Sequence, residues 1–255
     1  MSDSNIVWRP LTAADAAALA RLHIAWEEEL DLPFRSTEEE LTHELADPDL
    51  DLARDTRVAV TPDGSFVASA WISYTLRQGP KHRAFVMTTA LADHAGLELD
   101  AIKWAEDQTR VRFAELDDDL PRVVRSFAEA AAVDQIRRYE SLGFVVARHF
   151  VDMERSLAVP VAPPTLPAGV ELVAWDDRWK RSAYEAQVAS FVNHWGSLPP
   201  SWDRWLHGLE WPGVRLDLSH LAVADGEVVA LASNGVYPQD WKLRNRSEGW
   251  IETLG

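Results

Sequence analysis

Asp134-Gln135-Ile136-Arg137-Arg138-Tyr139-Glu140-Ser141-Leu142-Gly143-Phe144-Val145-Val146 is the stretch on which the reading of this chain turns. Ile136, Tyr139 and Leu142 recur at helical spacing, and Gly143 stands where a helix C-terminus takes a left-handed residue. Phe144-Val145-Val146 then changes to strand-forming types. The stretch predicts a helix stopped at Gly143 with a strand directly after it. Read from the residues alone, it is a capped helix carrying a tyrosine in its last turn.

Toward the N-terminus, residues 6–9 have the character of a strand, and residues 13–29 that of an amphipathic helix with Thr12 as N-cap and Asp15 three residues on. A second helix is predicted near 38–45. Residues 57–60 and 66–74 are β runs on either side of Pro62-Asp63-Gly64, a hairpin signal, and 83–91 is a third β run. A long helix near 97–115, a strand near 122–127, the Tyr139 helix and a last strand reaching Glu154 complete this half.

That ending and that order resemble the GNAT superfamily, the acyl-CoA-dependent N-acyltransferases. Tyr139-Glu140-Ser141-Leu142-Gly143-Phe144 is similar to the family's Tyr-Glu-x-x-Gly-Phe. Strand, two helices, three antiparallel strands, helix, strand, helix, strand is the family's element order. The resemblance implies a mixed α/β fold, a mostly antiparallel sheet flanked by helices, with acetyl-CoA as co-substrate and Tyr139 as the acid that protonates the departing CoA thiolate. It further implies that Thr88, Thr89 and Leu91 lie on the strand that pairs with pantetheine. The loop after that strand would hold the CoA pyrophosphate on helix N-terminal N–H groups. Where the family has Arg/Gln-x-x-Gly-x-Gly/Ala, residues 92–100 align Gly96 with the first glycine and put Glu98 at the second. Asp93, Glu98 and Asp100 then bring negative charge to a pyrophosphate site, which costs affinity unless that charge is screened or turned away. Two readings stay open: a decayed cradle with Tyr139 as a packed ring, or an atypical loop that binds through backbone alone.

Ala158 to Gly169 is rich in proline, too stiff and donor-poor to extend a helix or sheet, and reads as a linker. Beyond it the first half repeats. Val7-Trp8-Arg9 matches Val170-Glu171-Leu172 and Val58-Ala59-Val60 matches Leu221-Ala222-Val223, both 163 residues on, and Ala224-Asp225-Gly226-Glu227 echoes the first hairpin. The expected organisation is a GNAT-like domain over 1–157 with a degenerate acetyl-CoA loop, a linker over 158–168, and the front half of a second copy over 169–255. Tandem copies of this kind resemble the mycothiol-synthase-like branch of the family. The constant offset sets Gly255 opposite Ala92, so a reading frame that continues into a basic, glycine-rich loop and an amphipathic helix is expected.

Composition narrows the function. With 41 acidic against 25 basic residues and a net charge of -16, the chain is not expected to bind nucleic acid or an anionic membrane, and the charge suits a cationic amine. The absence of cysteine excludes disulfides, thiolate metal sites and cysteine nucleophiles. No leader-like segment or long apolar run occurs, so a cytoplasmic location is expected. The eight histidines form no metal-helix pattern, and no metal is expected. Trp195, Trp202, Trp205 and Trp211 cluster where GNAT folds shape the acceptor pocket, although large aromatics serve core packing first. By the same resemblance Glu252 in the fourth strand of the second copy matches a carboxylate that deprotonates the amine; a solvent-facing strand residue is the plain alternative. The expected activity is acetyl transfer from acetyl-CoA to an amine of a small molecule or peptide, directly in a ternary complex, at the C-terminal copy. Its rival is a catalytically silent binding or scaffolding protein.

Overall fold

The computed structural model describes residues 5–76 and 79–255, and these form two sheets. The first half runs β1 (Val7–Arg9), α1 (Ala16–Glu29), α2 (Glu38–Leu45), α3 (Leu52–Asp55), β2 (Thr56–Val60), β3 (Phe66–Thr75), β4 (His82–Ala90), α4 (Ala95–Ala114), β5 (Arg122–Arg125) and α5 (Val133–Ser141). The second runs β6 (Val170–Ala174), α6 (Lys180–Phe191), α7 (Trp202–Leu209), β7 (His220–Ala224), β8 (Glu227–Gly235), α8 (Pro238–Arg244) and β9 (Trp250–Leu254). No helix of the described residues is long and apolar enough to cross a membrane.

The first sheet has the order β1-β2-β3-β4-β5, antiparallel except for the parallel β4–β5 pair. Strand alternation sends its side chains to two cores. Val58 and Phe66 join Leu19, Leu22 and Leu41 under α1 and α2, while Ile72, Tyr74, Ala84 and Val86 meet Ala105 and Phe113 of α4. α2 is started by a reciprocal cap: Glu40 N–H donates to Thr37 Oγ1 at 3.2 Å and Thr37 N–H to Glu40 Oε2 at 2.8 Å.

α5 ends as its sequence predicts. Gly143 is left-handed at φ 87°, its N–H reaches the Glu140 carbonyl at 3.0 Å, and the Phe144 N–H reaches the Tyr139 carbonyl at 3.1 Å. This is a Schellman stop, closed by the Tyr139–Phe144 ring contact at 5.1 Å. The strand expected to reach Glu154 does not form. Val145 is 83% exposed and Met153 91%, and the segment pairs with no strand among the described residues. β-propensity describes fit to a half-buried sheet surface, and without a neighbouring strand these residues have none.

The second sheet runs β6-β7-β8-β9, all antiparallel, and its β7–β8 register slips at Ala222/Val223 as β2–β3 slips at Ala59/Val60. Aligned on these bulges, β7 follows β2 by 163 residues (Val60 to Val223). β6 follows β1 by 164 (Val7 to Glu171, the partners of those valines), and β8 follows β3 by 162 (Phe66 to Val228). The second hairpin is one residue shorter, an Asp225-Gly226 turn with both φ positive. On the shorter offset Leu231 is level with Ser69; the first exchanges backbone hydrogen bonds with Gly255 and the second pairs with Thr89. Gly255 is thus level with Thr89 rather than Ala92.

One face of α2 joins the sheets. Residues 40, 43 and 44 share a face of this helix, with Asp47 two residues past its end, and 40, 43 and 47 touch the second half. Gln239 donates to Glu40 at 3.1 Å, His207 Nε2 to the His43 carbonyl at 3.0 Å with the two rings stacked at 3.7 Å, and Arg204 pairs with Asp47 at 3.2 Å. The fourth, Glu44, is pushed up to about 7 by burial, then by Glu40 and Asp47. An unfolded glutamate titrates near ~4.3, so the folded chain keeps a proton that the unfolded chain releases between the two values. The stability this contributes is present below the lower pH and lost as pH rises through the upper one. Thermal melts from pH 5 to 8 are expected to fall in midpoint, and Glu44→Gln to flatten that fall; an unchanged slope in the variant would remove Glu44 as its source.

Candidate functional site

β4 and β5 are paired only from His82↔Arg122 to Phe85↔Arg125, so the strands part where β4 continues to Ala90. Parted strands leave open backbone groups on both lips, and here α5 fills the opening. The Tyr139 hydroxyl lies 3.0 Å from Thr88 Oγ1. Gln135 donates its amide to the Thr88 carbonyl at 2.9 Å and to Glu98 Oε1 at 2.7 Å, and Arg138 donates to Glu98 Oε2. Burial pushes the Tyr139 phenol above its ordinary range, and raises the Glu98 carboxyl against the pull of Gln135 and Arg138.

The segment expected to cradle pyrophosphate is already engaged. Glu29 of α1 accepts the Ala92 N–H at 2.9 Å, so the chain supplies its own carboxylate to this turn, and Leu91 N–H goes to the Val67 carbonyl at 3.1 Å. Gly96 is exposed, with open space where a Cβ would stand. Glu98 faces inward, paired with Arg138, while Asp93 and Asp100 remain exposed. Thr88 and Thr89 are each 8% exposed. These residues do not fit a CoA pyrophosphate: the Ala92 donor is taken by Glu29, and the exposed charge of Asp93 and Asp100 has the wrong sign.

The second half holds an open cavity of about 430 Å³, lined among others by Trp175, Arg204, Trp205, Trp211, Tyr237 and Glu252. Its carboxylate is aimed by a bulge. Ser233 pairs with Thr253 and Asn234 with Ile251, which leaves Glu252 as the extra residue of β9. A Cβ on Gly235 would come within 2.5 Å of Glu252 Oε1 and 3.0 Å of the Tyr237 hydroxyl, so the glycine makes room for both. The Tyr237 hydroxyl and the Glu252 carboxylate thus stand beside one another over Gly235, with Trp211 on the same cavity wall. Burial raises the Glu252 carboxyl, with the Tyr237 bond opposing; burial, then Glu252 itself, raises the Tyr237 phenol. The Glu252 side chain keeps solvent access on the free edge of β9, so the residue is reachable as a base.

Of the tryptophans singled out in the sequence, Trp205 lines this cavity, held by an indole bond to Gln187 at 2.8 Å, and Trp202 stacks on it at 5.4 Å. Trp195 lies elsewhere, against Arg125, Arg148 and Phe150 of the first half. Thr88 and Tyr139 meet each other but not Glu252, which belongs to the other sheet. Tyr237, Gly235, Trp175 and Arg204 were not singled out. Only the Gly235-x-Tyr237 spacing at the end of a β run was there to find them.

No protein-family model matches the sequence, and no curated protein matches it. Among solved structures, a GCN5-related N-acetyltransferase from Sphaerobacter thermophilus is 22% identical, with a TM-score of 0.65 over 99% of this chain and 76% of that one. The aminoglycoside 6'-N-acetyltransferase AAC(6')-Ih from Acinetobacter baumannii (14% identity, TM-score 0.42, 60% of this chain and 99% of that one) is also similar. So is a ribosomal-protein-alanine N-acetyltransferase from Brucella melitensis (16%, 0.44, 59% and 99%). At this identity the first likeness establishes the fold: a mixed α/β, mostly antiparallel sheet with flanking helices, as in GNAT acetyltransferases.

Glu98 is 3% exposed and ion-paired only with Arg138 among the described residues, so removing that guanidinium strands a buried charge. Arg138→Met is expected to lower the unfolding free energy by about 3 kcal/mol, with Glu98→Gln recovering much of the loss in the double variant. Urea denaturation measures both, and additive losses would show that the two side chains do not act as a pair.

Proposed function

We propose that the chain is an acetyl-CoA-dependent N-acetyltransferase acting on an amine of a small molecule or peptide, with its working site at the Glu252 cavity. The observation that carries this reading is a bulged carboxylate, set beside the Tyr237 hydroxyl and facing an aromatic-walled cavity. In this reading residues 1–157 are a GNAT-like unit whose cofactor cradle has closed on itself, 158–168 a linker, and 169–255 the front half of a second copy. The matched strand order and matched bulges support a duplicated, tandem arrangement of the mycothiol-synthase-like kind.

Acetyl-CoA supplies an acyl thioester, and the free edge of β9 offers backbone groups to an extended arm laid beside it. The chain's own residues do the rest. Glu252 takes the proton that the amine loses, directly or through one water, as its nitrogen attacks the thioester carbonyl and the C–S bond breaks to release CoA as the thiolate; the raised pKa of Glu252 brings it nearer to the amine it serves. Tyr237 fixes the carboxylate's direction while Trp175, Trp205 and Trp211 hold the apolar body of the acceptor and exclude water. Trp202 supports Trp205 from behind, and Tyr139, Thr88, Thr89, Leu91 and Gly96 belong to the silent first unit.

The second reading, a catalytically silent binding or scaffolding protein, is favoured by one feature: the polar network that fills the first unit. Thiol release from acetyl-CoA with a panel of small amines and peptides separates the two. Glu252→Gln is expected to reduce kcat by about 10²- to 10³-fold with folding intact. The wild-type rate should fall as pH drops through a value above the ordinary glutamate range of about 4.3, because the base must be unprotonated. Binding of acetyl-CoA by calorimetry without any turnover would support the silent module instead.

A further inference from the structure

Arg83, at the start of β4, donates to the Gly196 carbonyl and to Thr75 Oγ1 at 3.2 Å, while its Nε is buried without a partner. Arg125, at the end of β5, packs its guanidinium on the same glycine, where a Cβ would lie 2.3 Å from Nη1; Gly196 has φ 79°. The Arg125 guanidinium also lies 4.4 Å from the centre of the Trp195 ring, and that of Arg148 lies 5.2 Å from it. None of the three arginines has a carboxylate within ion-pair distance among the described residues. In a chain with 41 acidic and 25 basic residues, that is a departure from its surroundings.

The geometry is costly without a counter-charge. Arg83 is half-buried, and burial, then Arg125 and Arg204, push it down to about 10. A positive cluster held in partly dry surroundings is offset by an anion, and guanidinium forks match phosphate oxygens two at a time. Beside the arginines, Phe127 (62% exposed) has one face stacked on Phe85 and lies 6.0 Å from Phe150 (61% exposed), which in turn meets Trp195 at 6.4 Å. We infer that Arg83, Arg125 and Arg148, gathered round Trp195 and Gly196 between the two halves, bind the phosphate of a phosphate ester whose planar aromatic body rests on Phe127 and Phe150. This site is separate from the Glu252 cavity, whose lining includes none of these residues.

The test is calorimetry on the full chain with adenosine monophosphate and, separately, inorganic phosphate as probes. The nucleotide is expected to bind more tightly than phosphate by about ten-fold or more, and Arg148→Gln to weaken it by about ten-fold, the loss of one charge-assisted hydrogen bond. Arg148 is exposed, so this variant is expected to melt with the parent. Phe127→Ser is expected to remove the preference for the nucleotide while leaving phosphate binding intact. Absence of binding at millimolar nucleotide, equal affinity for the two probes, or an affinity unchanged in Arg148→Gln would each overturn the inference.

Discussion

The parallel pair β4–β5 lasts only four residues, from His82↔Arg122 to Phe85↔Arg125, and the rest of the first half is arranged around its early end. Beyond Phe85, β4 has one lip with no strand to pair it, and unpaired backbone inside a protein costs about as much as a lost hydrogen bond. α5 answers that constraint. Its Gln135 amide takes the Thr88 carbonyl and its Tyr139 hydroxyl takes the Thr88 hydroxyl, so a gap of the kind that admits a ligand is closed from within. Glu98 follows from the same choice: once Gln135 points inward, its second amide proton needs an acceptor, and Glu98 with Arg138 provides one.

The second sheet meets the same problem differently. β9 is an edge with no strand beyond it among the described residues, and its bulge turns Glu252 toward a cavity. Tyr237 stands beside the Glu252 carboxylate, whereas both oxygens of Glu98 are committed to Gln135 and Arg138. Two carboxylates raised by burial therefore have opposite uses. The first is consumed in holding the fold, and the second stays available to take a proton.

Much of the frame was legible because local chemistry fixed it. Gly143 needed a left-handed residue and Thr12 with Asp15 marked a helix start, and both are found in place, with the Thr12 N–H given to Asp15 at 2.7 Å. What failed were features decided by distant partners. Residues 144–154 have strand-forming side chains, but pairing depends on a neighbour that sequence does not display. Glu98 reads as an acid beside a phosphate site until Gln135 and Arg138, about forty residues on, are seen to claim it. Trp195 and Trp205 look equivalent by spacing; one is tied to arginines of the first sheet and the other to Gln187 of the second. The longer β8–β9 connection, which holds α8, and the Glu252 bulge were enough to shift the apparent position of Gly255.

The contact between the halves gives the closed first half a reason to persist. Arg204 lines the Glu252 cavity, yet its guanidinium is fixed by first-half groups: the Tyr74 carbonyl at 3.2 Å, Ser73 Oγ at 2.8 Å and Asp47. Trp211, on the same cavity wall as Tyr237, meets the His43 ring edge-on at 5.4 Å, and Gln239 reaches Glu40. A long cationic side chain held by a carbonyl, a hydroxyl and a carboxylate has little rotamer freedom left, so the wall it forms is pre-organised by residues outside the half that owns it. The first sheet thus acts on the cavity mechanically, through α2 and the ends of β3, whether or not it binds anything itself. This support runs through α2 and β3, apart from the α5 network that fills the first half's own gap.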